Sequence, residues 1–293
     1  MKKVRIATRG SSLALAQSET VRDLLSSQGI ESELVIVKTK GDKDRASSIQ
    51  EIGGDGLFVR EIEKSILAGE ADIAVHSAKD LPFVLSPELI IGAVPAMADP
   101  RDLLLLRKDR DLENSNGMII GTGSMRRISE YKRQDPHAVF KDIRGNITTR
   151  ASKLRAGEYD GIIMAKAGID RIGLDISDFD VRIFDANEMI PAPCQGILAV
   201  ECKKDDREMI DVLAAITDRN AAARFDIERK LFCLLNGNCK TAVGINAAIE
   251  GETVILRALF HKKRLETTFK IDETDKKLGE IKDVLLTETE MVE

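Results

Sequence analysis

The 293-residue chain contains no tryptophan, two tyrosines and nine phenylalanines, so aromatic side chains make up only 4% of it. Proteins that bind single-stranded nucleic acid stack the bases on exposed aromatic side chains, and this chain has few of them. The formal net charge of −5 also argues against a dedicated nucleic-acid binder. It does not exclude a local basic pocket for an acidic small molecule.

Long apolar segments are missing as well. Arg5 and Arg9 interrupt the apolar residues near the N-terminus, so no secretory segment is predicted, and no stretch approaches the ~18 apolar residues of a membrane helix. We therefore expect a cytoplasmic protein that does not partner with a membrane. The four cysteines form no Cys-x-x-Cys pair, so we expect no metal site and, in a reducing compartment, free thiols. These cysteines are Cys194, Cys202, Cys233 and Cys239.

Strand and helix signals alternate along the first two thirds of the chain, which predicts an α/β fold with two doubly wound lobes. In the first lobe, strands are predicted at residues 4–8, 34–38, 72–75 and 89–94, and helices at 11–27 and 57–68. In the second, strands are predicted at 118–120, 138–141 and 161–164, and helices at 124–133, 146–156 and 167–172.

The last third has a different pattern, which predicts a small α+β domain. A helix over 218–235 is followed by a hairpin of residues 244–249 and 253–260, and by a helix over 275–286. Residues 97–101 and the Pro-Ala-Pro segment at 191–193 indicate crossings between the lobes. The predicted domains are residues 1–96 with 196–215, residues 97–195, and residues 216–293.

Cationic side chains follow several predicted strands. Ligands of open α/β sheets bind outside the carboxyl ends of the strands, and helix N-termini there favour anions. Arginine binds carboxylates through a planar fork, so the two lobes are predicted to clamp a ligand that carries several carboxylates. The alternative is that each arginine is a solvated surface residue. The cations are Arg9, Lys79, Arg126, Arg127, Arg144 and Arg150, and the helix N-termini lie at Ser11, Ser124 and Asn146.

Two residues of other chemistry accompany this basic set. Asp80 cannot help to bind carboxylates, but it could stabilise a cation that forms during a reaction or transfer a proton; alternatively, it caps the turn before Pro82. Cys239 lies in a tight turn after a helix, where a thiol could act as a nucleophile or a covalent anchor; alternatively, it is an unused free thiol. His76 is more simply interpreted as a structural histidine.

Several motifs, in their order along the chain, resemble those of porphobilinogen deaminases (hydroxymethylbilane synthases). The resemblance extends from about residue 4 to residue 244. The motifs are RIATRGSSLAL at 5–15, GLFVRE at 56–61, ADIAVHSAKD at 71–80, DPRD at 99–102, GTGSMRR at 121–127, RGNITTR at 144–150, Gln195-Gly196 and the NGNC turn at 236–239.

The resemblance implies a fold with two lobes similar to type II periplasmic binding proteins and a third domain that carries a cofactor cysteine. It implies a dipyrromethane cofactor held by a thioether at Cys239, and a catalytic role for Asp80 in the loss of ammonia and the stabilisation of cationic azafulvene or pyrrolenine intermediates. It further implies that a set of polar and basic residues holds acetate and propionate groups. For the cofactor these are Lys79, Ser124, Arg126, Arg127, Asn146 and Arg150; for the substrate they are Arg9, Ser11, Arg60, Thr122, Arg144, Arg171 and Gln195.

The activity implied is that of a transferase. Four porphobilinogens would be condensed head to tail on the dipyrromethane primer, and hydrolysis would release hydroxymethylbilane for tetrapyrrole and haem biosynthesis. The expected partner is the small molecule alone, with the protein a monomer. The alternatives are a non-catalytic two-lobed binding protein for a polycarboxylate, and a degenerate deaminase with poor turnover.

The chain departs from the usual family pattern at five positions. Asp55 replaces a basic residue, Gly123 replaces a serine, and Cys194 replaces a small residue. Around the cofactor cysteine, Asn238 precedes Cys239 where glycine or alanine is usual, and Ala242 replaces a proline. We expect these differences to affect the conformation of the loops and the rate of the reaction rather than the type of reaction.

Overall fold

The computed structural model describes residues 3–37, 57–82, 84–110, 117–237 and 241–287. The chain divides into two compact units. Unit 1 contains Met1–Ala98 and Ile197–Phe225, and unit 2 contains Asp99–Gly196 and Asp226–Glu293. The finer division into three domains stays a prediction. None of the helices in the described residues is long and apolar enough to cross a membrane.

A mixed five-stranded sheet forms the centre of unit 1. Its strand order is β2-β1-β3-β10-β4, with β1 parallel to β2 and β3, and β10 antiparallel to β3 and β4. The helices bury their apolar residues against this sheet, as Val21 and Leu25 of α1 do. The strands are β1 (Val4–Thr8), β2 (Ser32–Ile36), β3 (Ile73–Ser77), β4 (Leu89–Ala93) and β10 (Leu198–Lys203); the helices are α1 (Ser12–Ser27), α2 (Leu57–Leu67), α6 (Arg207–Ala214) and the first part of α7 (Arg219–Leu234).

Unit 2 repeats this architecture with the strand order β7-β6-β8-β5-β9. Strand β5 (Asp102–Arg107) is antiparallel to both of its neighbours, and its four consecutive leucines are all buried because both faces of the sheet are covered. The other strands are β6 (Ile119–Gly121), β7 (Val139–Lys141), β8 (Gly161–Ala165) and β9 (Phe179–Ile183); the helices are α3 (Met125–Gln134), α4 (Ile147–Arg155) and α5 (Lys166–Ile172).

A three-stranded antiparallel sheet completes unit 2. Strands β11 (Val243–Glu250), β12 (Thr253–Phe260) and β13 (Lys263–Lys270) pair in sequence order. The end of α7 and the final helix α8 (Thr274–Leu286) share one apolar core with this sheet. The Ile245 N–H donates to the carbonyl oxygen of Pro191 at 2.9 Å, which joins β11 to the segment after β9.

The fold class predicted from the sequence is confirmed: the chain has mixed α/β architecture with a small C-terminal sheet domain. The elements expected from the sequence are present with their ends within two residues of the predicted ones, and strand 34–38 is found at Ser32–Ile36. Residue 38 lies outside the described residues. Five elements were not predicted from the sequence: β5, β9, β10, β13 and α6.

Candidate functional site

The candidate site residues of unit 1 lie where β1 and β3 end. These strands are parallel neighbours, with Ala7 opposite Ala74, so their carboxyl ends meet at the same edge of the sheet. Arg9 and Ser11 follow β1. Lys79 and Asp80 lie in a single 3₁₀ turn, Ala78–Asp80, that directly follows β3, and both are exposed. The structure therefore places these four predicted site residues at one sheet edge.

Local hydrogen bonds explain the conformation of both segments. Ser11 has extended backbone dihedrals, and its hydroxyl oxygen accepts from the Ala14 N–H at 3.3 Å, so it is the N-cap of α1 as predicted. Beneath the turn that carries Asp80, His76 is buried, and its Nε2 lies 3.1 Å from the Glu201 carboxylate on β10. These contacts fit the structural interpretation of His76.

The candidate site residues of unit 2 lie beyond β6, β7 and β8, which are parallel to one another. Two helices begin at this edge with side-chain caps: Ser124 accepts from the Arg127 N–H, and Asn146 accepts from the Thr149 N–H at 2.8 Å. Thr122 is buried, and its hydroxyl oxygen accepts from the Ser124 N–H at 3.2 Å. Both predicted helix N-termini are thus confirmed, although their roles in binding remain predictions.

Arg126 and Arg127 lie in the first turn of α3 and are almost completely buried, with side chains 4% and 9% exposed. Both contact the carboxylate of Asp102, which is fully buried at the start of β5. The Arg126 Nη1 donates to Asp102 Oδ2 at 2.6 Å, and the Arg127 Nη2 donates to Oδ1 at 2.7 Å. Gln195, predicted to bind substrate, is buried and donates to the same Oδ1 at 3.1 Å.

The electrostatics of this cluster follow from burial and from opposite charges. Burial by itself raises the pKa of Asp102, but the charges of Arg126 and Arg127 outweigh it and hold that pKa well below its usual value. Burial lowers the pKa of Arg127, and the charges of Arg126 and Arg150 lower it further. The guanidinium of Arg150 is therefore close enough to act on Arg127; its own pKa is lowered by burial, and its Nε donates to the Gly145 carbonyl at 2.8 Å.

Three further predicted arginines differ in their surroundings. Arg144 is 64% exposed beyond β7, and its Nε donates to Asp142 at 3.0 Å. Arg171 on α5 donates to the Gly196 carbonyl at 2.6 Å, and burial lowers its pKa to about 10. Arg60 lies exposed on α2 in unit 1. Arg144 and Arg60 are therefore exposed, whereas Arg171 is partly buried.

The cofactor cysteine predicted from the sequence, Cys239, lies outside the described residues, as do Asn238 and Asp55. The other three cysteines, Cys194, Cys202 and Cys233, are thiols rather than halves of a disulfide. Burial raises the pKa of the Cys194 thiol well above its usual value, and raises that of Cys202 to about 11. Within the described residues, no group of three His, Cys, Asp or Glu side chains is arranged to hold a metal ion.

Two of the departures from the family pattern have a local physical explanation. A Cβ atom at Gly123 would collide with Oδ1 of Asp142, so glycine here allows the Asp142 side chain to adopt its observed position. Cys194 has a φ of 59°, in the left-handed region that favours glycine, which explains why a small residue suits this position. The Glu228 carboxylate accepts from the Cys194 N–H at 2.6 Å.

The sequence analysis missed two buried carboxylates that organise the site in unit 2. Asp102 binds Arg126, Arg127 and Gln195, and Glu228 binds the Cys194 N–H. Asp102 is part of the DPRD motif, and an aspartate placed after a proline and an arginine could have been considered as a partner for the later arginines. No comparable signal marks Glu228, which is one of two acidic residues along α7.

These observations define a class of protein: an α/β protein of two mixed five-stranded sheets, each with basic residues and side-chain capping of a helix N-terminus beyond its parallel strands. The family model described as "Porphobilinogen deaminase, dipyromethane cofactor binding domain" matches residues 4–211. The chain belongs to the porphobilinogen deaminase family, as the resemblance of its motifs indicated.

Individual relatives cover nearly the whole chain. The porphobilinogen deaminase of Streptococcus sanguinis (strain SK36) is 40% identical over 268 residues, which cover 90% of this chain and 88% of the relative. That of Prochlorococcus marinus (strain AS9601) is 38% identical, covering 96% and 89%. The probable porphobilinogen deaminase of Methanocaldococcus jannaschii is 38% identical over 281 residues, covering 93% and 95%.

Solved structures with a similar chain trace include substrate binding domain 2 of Lactococcus lactis GlnP. That domain is 12% identical, with a TM-score of 0.45, and the match covers 78% of this chain and 94% of the domain. The periplasmic VFT2 domain of Bordetella pertussis BvgS is 16% identical with a TM-score of 0.42, covering 76% and 92%. The family assignment does not depend on either of them.

Proposed function

We propose that this chain is a transferase that condenses four porphobilinogens head to tail, with loss of ammonia, on a dipyrromethane primer held at Cys239, and then releases hydroxymethylbilane. Membership of the porphobilinogen deaminase family carries the proposal. In each addition a carbon–carbon bond forms, a carbon–nitrogen bond breaks, and ammonia leaves together with its bonding electrons.

The residues beyond β6 and β7 fit a cofactor that carries several carboxylates. Arg127 is a buried cation, the partly exposed Arg150 is close enough to lower the pKa of Arg127, and the capped N-termini of α3 and α4 lie at the same sheet edge. Ser124, Arg126, Arg127, Asn146 and Arg150, together with Lys79 of unit 1, would hold the carboxylates of dipyrromethane. When bound, the cofactor supplies the pyrrole carbon from which the chain grows.

Asp80 is the proposed catalytic residue. It is exposed at the end of β3, in a turn that starts from a well-packed strand, and Lys79 precedes it. Loss of ammonia leaves positive charge on the incoming porphobilinogen, and a fixed carboxylate stabilises such charge as it forms. The same carboxylate can accept the proton that the attacking pyrrole carbon must lose.

The remaining basic residues are proposed to hold the substrate. Arg144 is exposed at a strand end and can form a forked pair with an acetate or propionate group. Arg9, Ser11, Arg60, Thr122, Arg171 and Gln195 are the other proposed contacts. Thr122 and Gln195 are buried, so their contribution would be to orient neighbouring groups.

The chemistry of the described cysteines supports Cys239 as the anchor. A thiolate is the reactive form of cysteine, and burial disfavours it at both Cys194 and Cys202. Cys233 lies on α7, half-buried. A monomeric state and a cytoplasmic location remain predictions.

Replacement of Asp80 by asparagine tests the proposed chemistry. Asp80→Asn retains size but removes the charge, so we expect turnover of porphobilinogen to fall by ~10²–10⁴-fold, while the protein stays folded and still acquires its covalent pyrrole. The matched control is Asp205→Asn, an exposed aspartate of unit 1 away from the sheet edge. A variant at position 80 that consumes porphobilinogen as fast as this control would remove Asp80 from the mechanism.

A further inference from the structure

Asp102 accepts hydrogen bonds from three side chains. Its Oδ2 accepts from Arg126 Nη1 at 2.6 Å, and its Oδ1 accepts from Arg127 Nε at 3.1 Å and Nη2 at 2.7 Å. Gln195 Nε2 is a further donor to Oδ1 at 3.1 Å and also donates to the Pro100 carbonyl at 2.7 Å. The Asp102 side chain is fully buried, so no water competes for these oxygens.

Both arginines also donate to backbone carbonyls. Arg126 Nη1 also donates to the Ile190 carbonyl at 2.8 Å, and Arg127 Nη1 donates to the Ile163 carbonyl at 2.9 Å. Each guanidinium is therefore fixed in position by one ionic contact and one carbonyl contact. Such a clamp removes most of the rotational freedom of two long side chains.

Counting charges within this cluster leaves an imbalance. Arg126 and Arg127 contribute two positive charges, and Asp102 contributes one negative charge, so one positive charge remains in a nearly solvent-free site. Buried charges are stable when they are paired. The nearby cation, Arg150, increases the imbalance rather than relieving it.

We propose that Asp102 is a positioning residue for cofactor binding: it fixes Arg126 and Arg127 and cancels one of their charges, so that the pair accepts a single carboxylate of the pyrrole cofactor. This inference rests on the proposed function. Asp102 does not touch the cofactor in this scheme and acts through the two arginines. Without it, two unneutralised guanidinium groups would repel each other and lose their shared orientation.

The test compares how fast apo-protein variants acquire the covalent pyrrole. Wild-type, Asp102→Asn and Asp99→Asn proteins are prepared without porphobilinogen, then mixed with it, and their intact masses are followed with time at several salt concentrations. Asp99 is the matched control because it lies three residues earlier and pairs with Arg101, outside the cluster. Circular dichroism defines a temperature at which each protein is folded.

We expect Asp102→Asn to acquire the pyrrole about tenfold more slowly or worse, with a steeper dependence on salt because the site now carries one more positive charge. Asp99→Asn should behave as wild type. A folded Asp102→Asn protein that loads at the wild-type rate and with the wild-type salt dependence would overturn the proposal.

A second variant keeps the test decisive if Asp102→Asn does not fold. The variant Asp102→Glu keeps the negative charge of the cluster but displaces the carboxylate from Arg126 and Arg127 by one methylene. It should fold and still load slowly, and loading at the wild-type rate would overturn the proposal. Wild-type protein that acquires no pyrrole would instead refute the proposed function, and this inference with it.

Discussion

Glu228 offers a quantitative test of how unit 2 is held together. This glutamate on α7 is 2% exposed, and its two carboxylate oxygens bind two different backbone groups. One accepts from the Cys194 N–H at 2.6 Å, and the other accepts from the Ala247 N–H of β11 at 2.8 Å. The residue thus ties the left-handed turn at Cys194 to the C-terminal sheet.

The expected effect of Glu228→Gln follows from these two contacts. Glutamine keeps the size of the side chain, but only one of its terminal atoms can accept, so one backbone N–H loses its partner. A hydrogen bond to a charged group contributes ~1.5–3 kcal/mol, and leaving a buried N–H without a partner costs ~1–3 kcal/mol. Because the two figures describe partly the same loss, we expect the free energy of unfolding to fall by about 3 kcal/mol.

Urea unfolding and hydrogen exchange measure this effect at two levels. With a slope of ~1–3 kcal/mol per molar urea, a loss of this size lowers the midpoint by roughly 1–3 M. In Glu228→Gln, hydrogen exchange at the backbone amides of Cys194 and Ala247 should be faster, because these two N–H groups donate to the Glu228 carboxylate. Glu252→Gln, at an exposed position beside β12, is the control. A Glu228→Gln midpoint equal to that of the control, with both amides still protected, would refute the reasoning.

Two further predictions concern pH dependence and substrate binding. Burial, and to a smaller extent the charge of Glu201, raise the pKa of the Glu63 carboxyl group. The folded state therefore binds a proton at Glu63 more tightly than the unfolded state does. The free energy of unfolding consequently falls as the pH rises above the usual carboxyl range. The Glu63→Gln variant has no titrating group at this position, so its urea midpoint should fall less than that of the wild-type protein as the pH rises from acidic to neutral. Parallel plots of midpoint against pH for the two proteins would contradict this prediction. Arg144→Leu should raise the KM for porphobilinogen. The urea midpoint should stay almost unchanged, because the exposed ion pair of Arg144 with Asp142 contributes at most ~1 kcal/mol to stability. Unchanged steady-state kinetics would place Arg144 outside the site.

Local signals were enough to predict much of the fold. Ser11, Ser124 and Asn146 were expected at helix N-termini, and all three side chains accept from the backbone three residues later. These features depend on a few adjacent residues, so the sequence displays them directly. The hairpin of β11 and β12 was found for the same reason, since its turn and alternating pattern are local.

The elements that were missed depend on distant partners. β5 contains a continuous leucine run without alternation, and β10 pairs with β3 more than a hundred residues earlier. The alternation of β13 is weak because most of its side chains are at least partly exposed.

The same limit applies to the candidate site. The sequence indicated the basic residues because they follow strands, but it did not reveal that Asp102 binds Arg126, 24 residues away, and Gln195, 93 residues away. Such contacts arise only when the sheet order brings the start of β5 next to the beginning of α3. Burial of the two arginines likewise could not be predicted from spacing.

The most direct test of the proposed function is the intact mass of the purified protein and of its Cys239→Ser variant. The account predicts that wild-type protein exceeds its polypeptide mass by two porphobilinogens less two ammonias, and that the variant shows the bare polypeptide mass. An adduct retained in Cys239→Ser would contradict the assignment of the anchor. Bare mass in wild type, persisting after incubation with porphobilinogen, would contradict the proposed function itself.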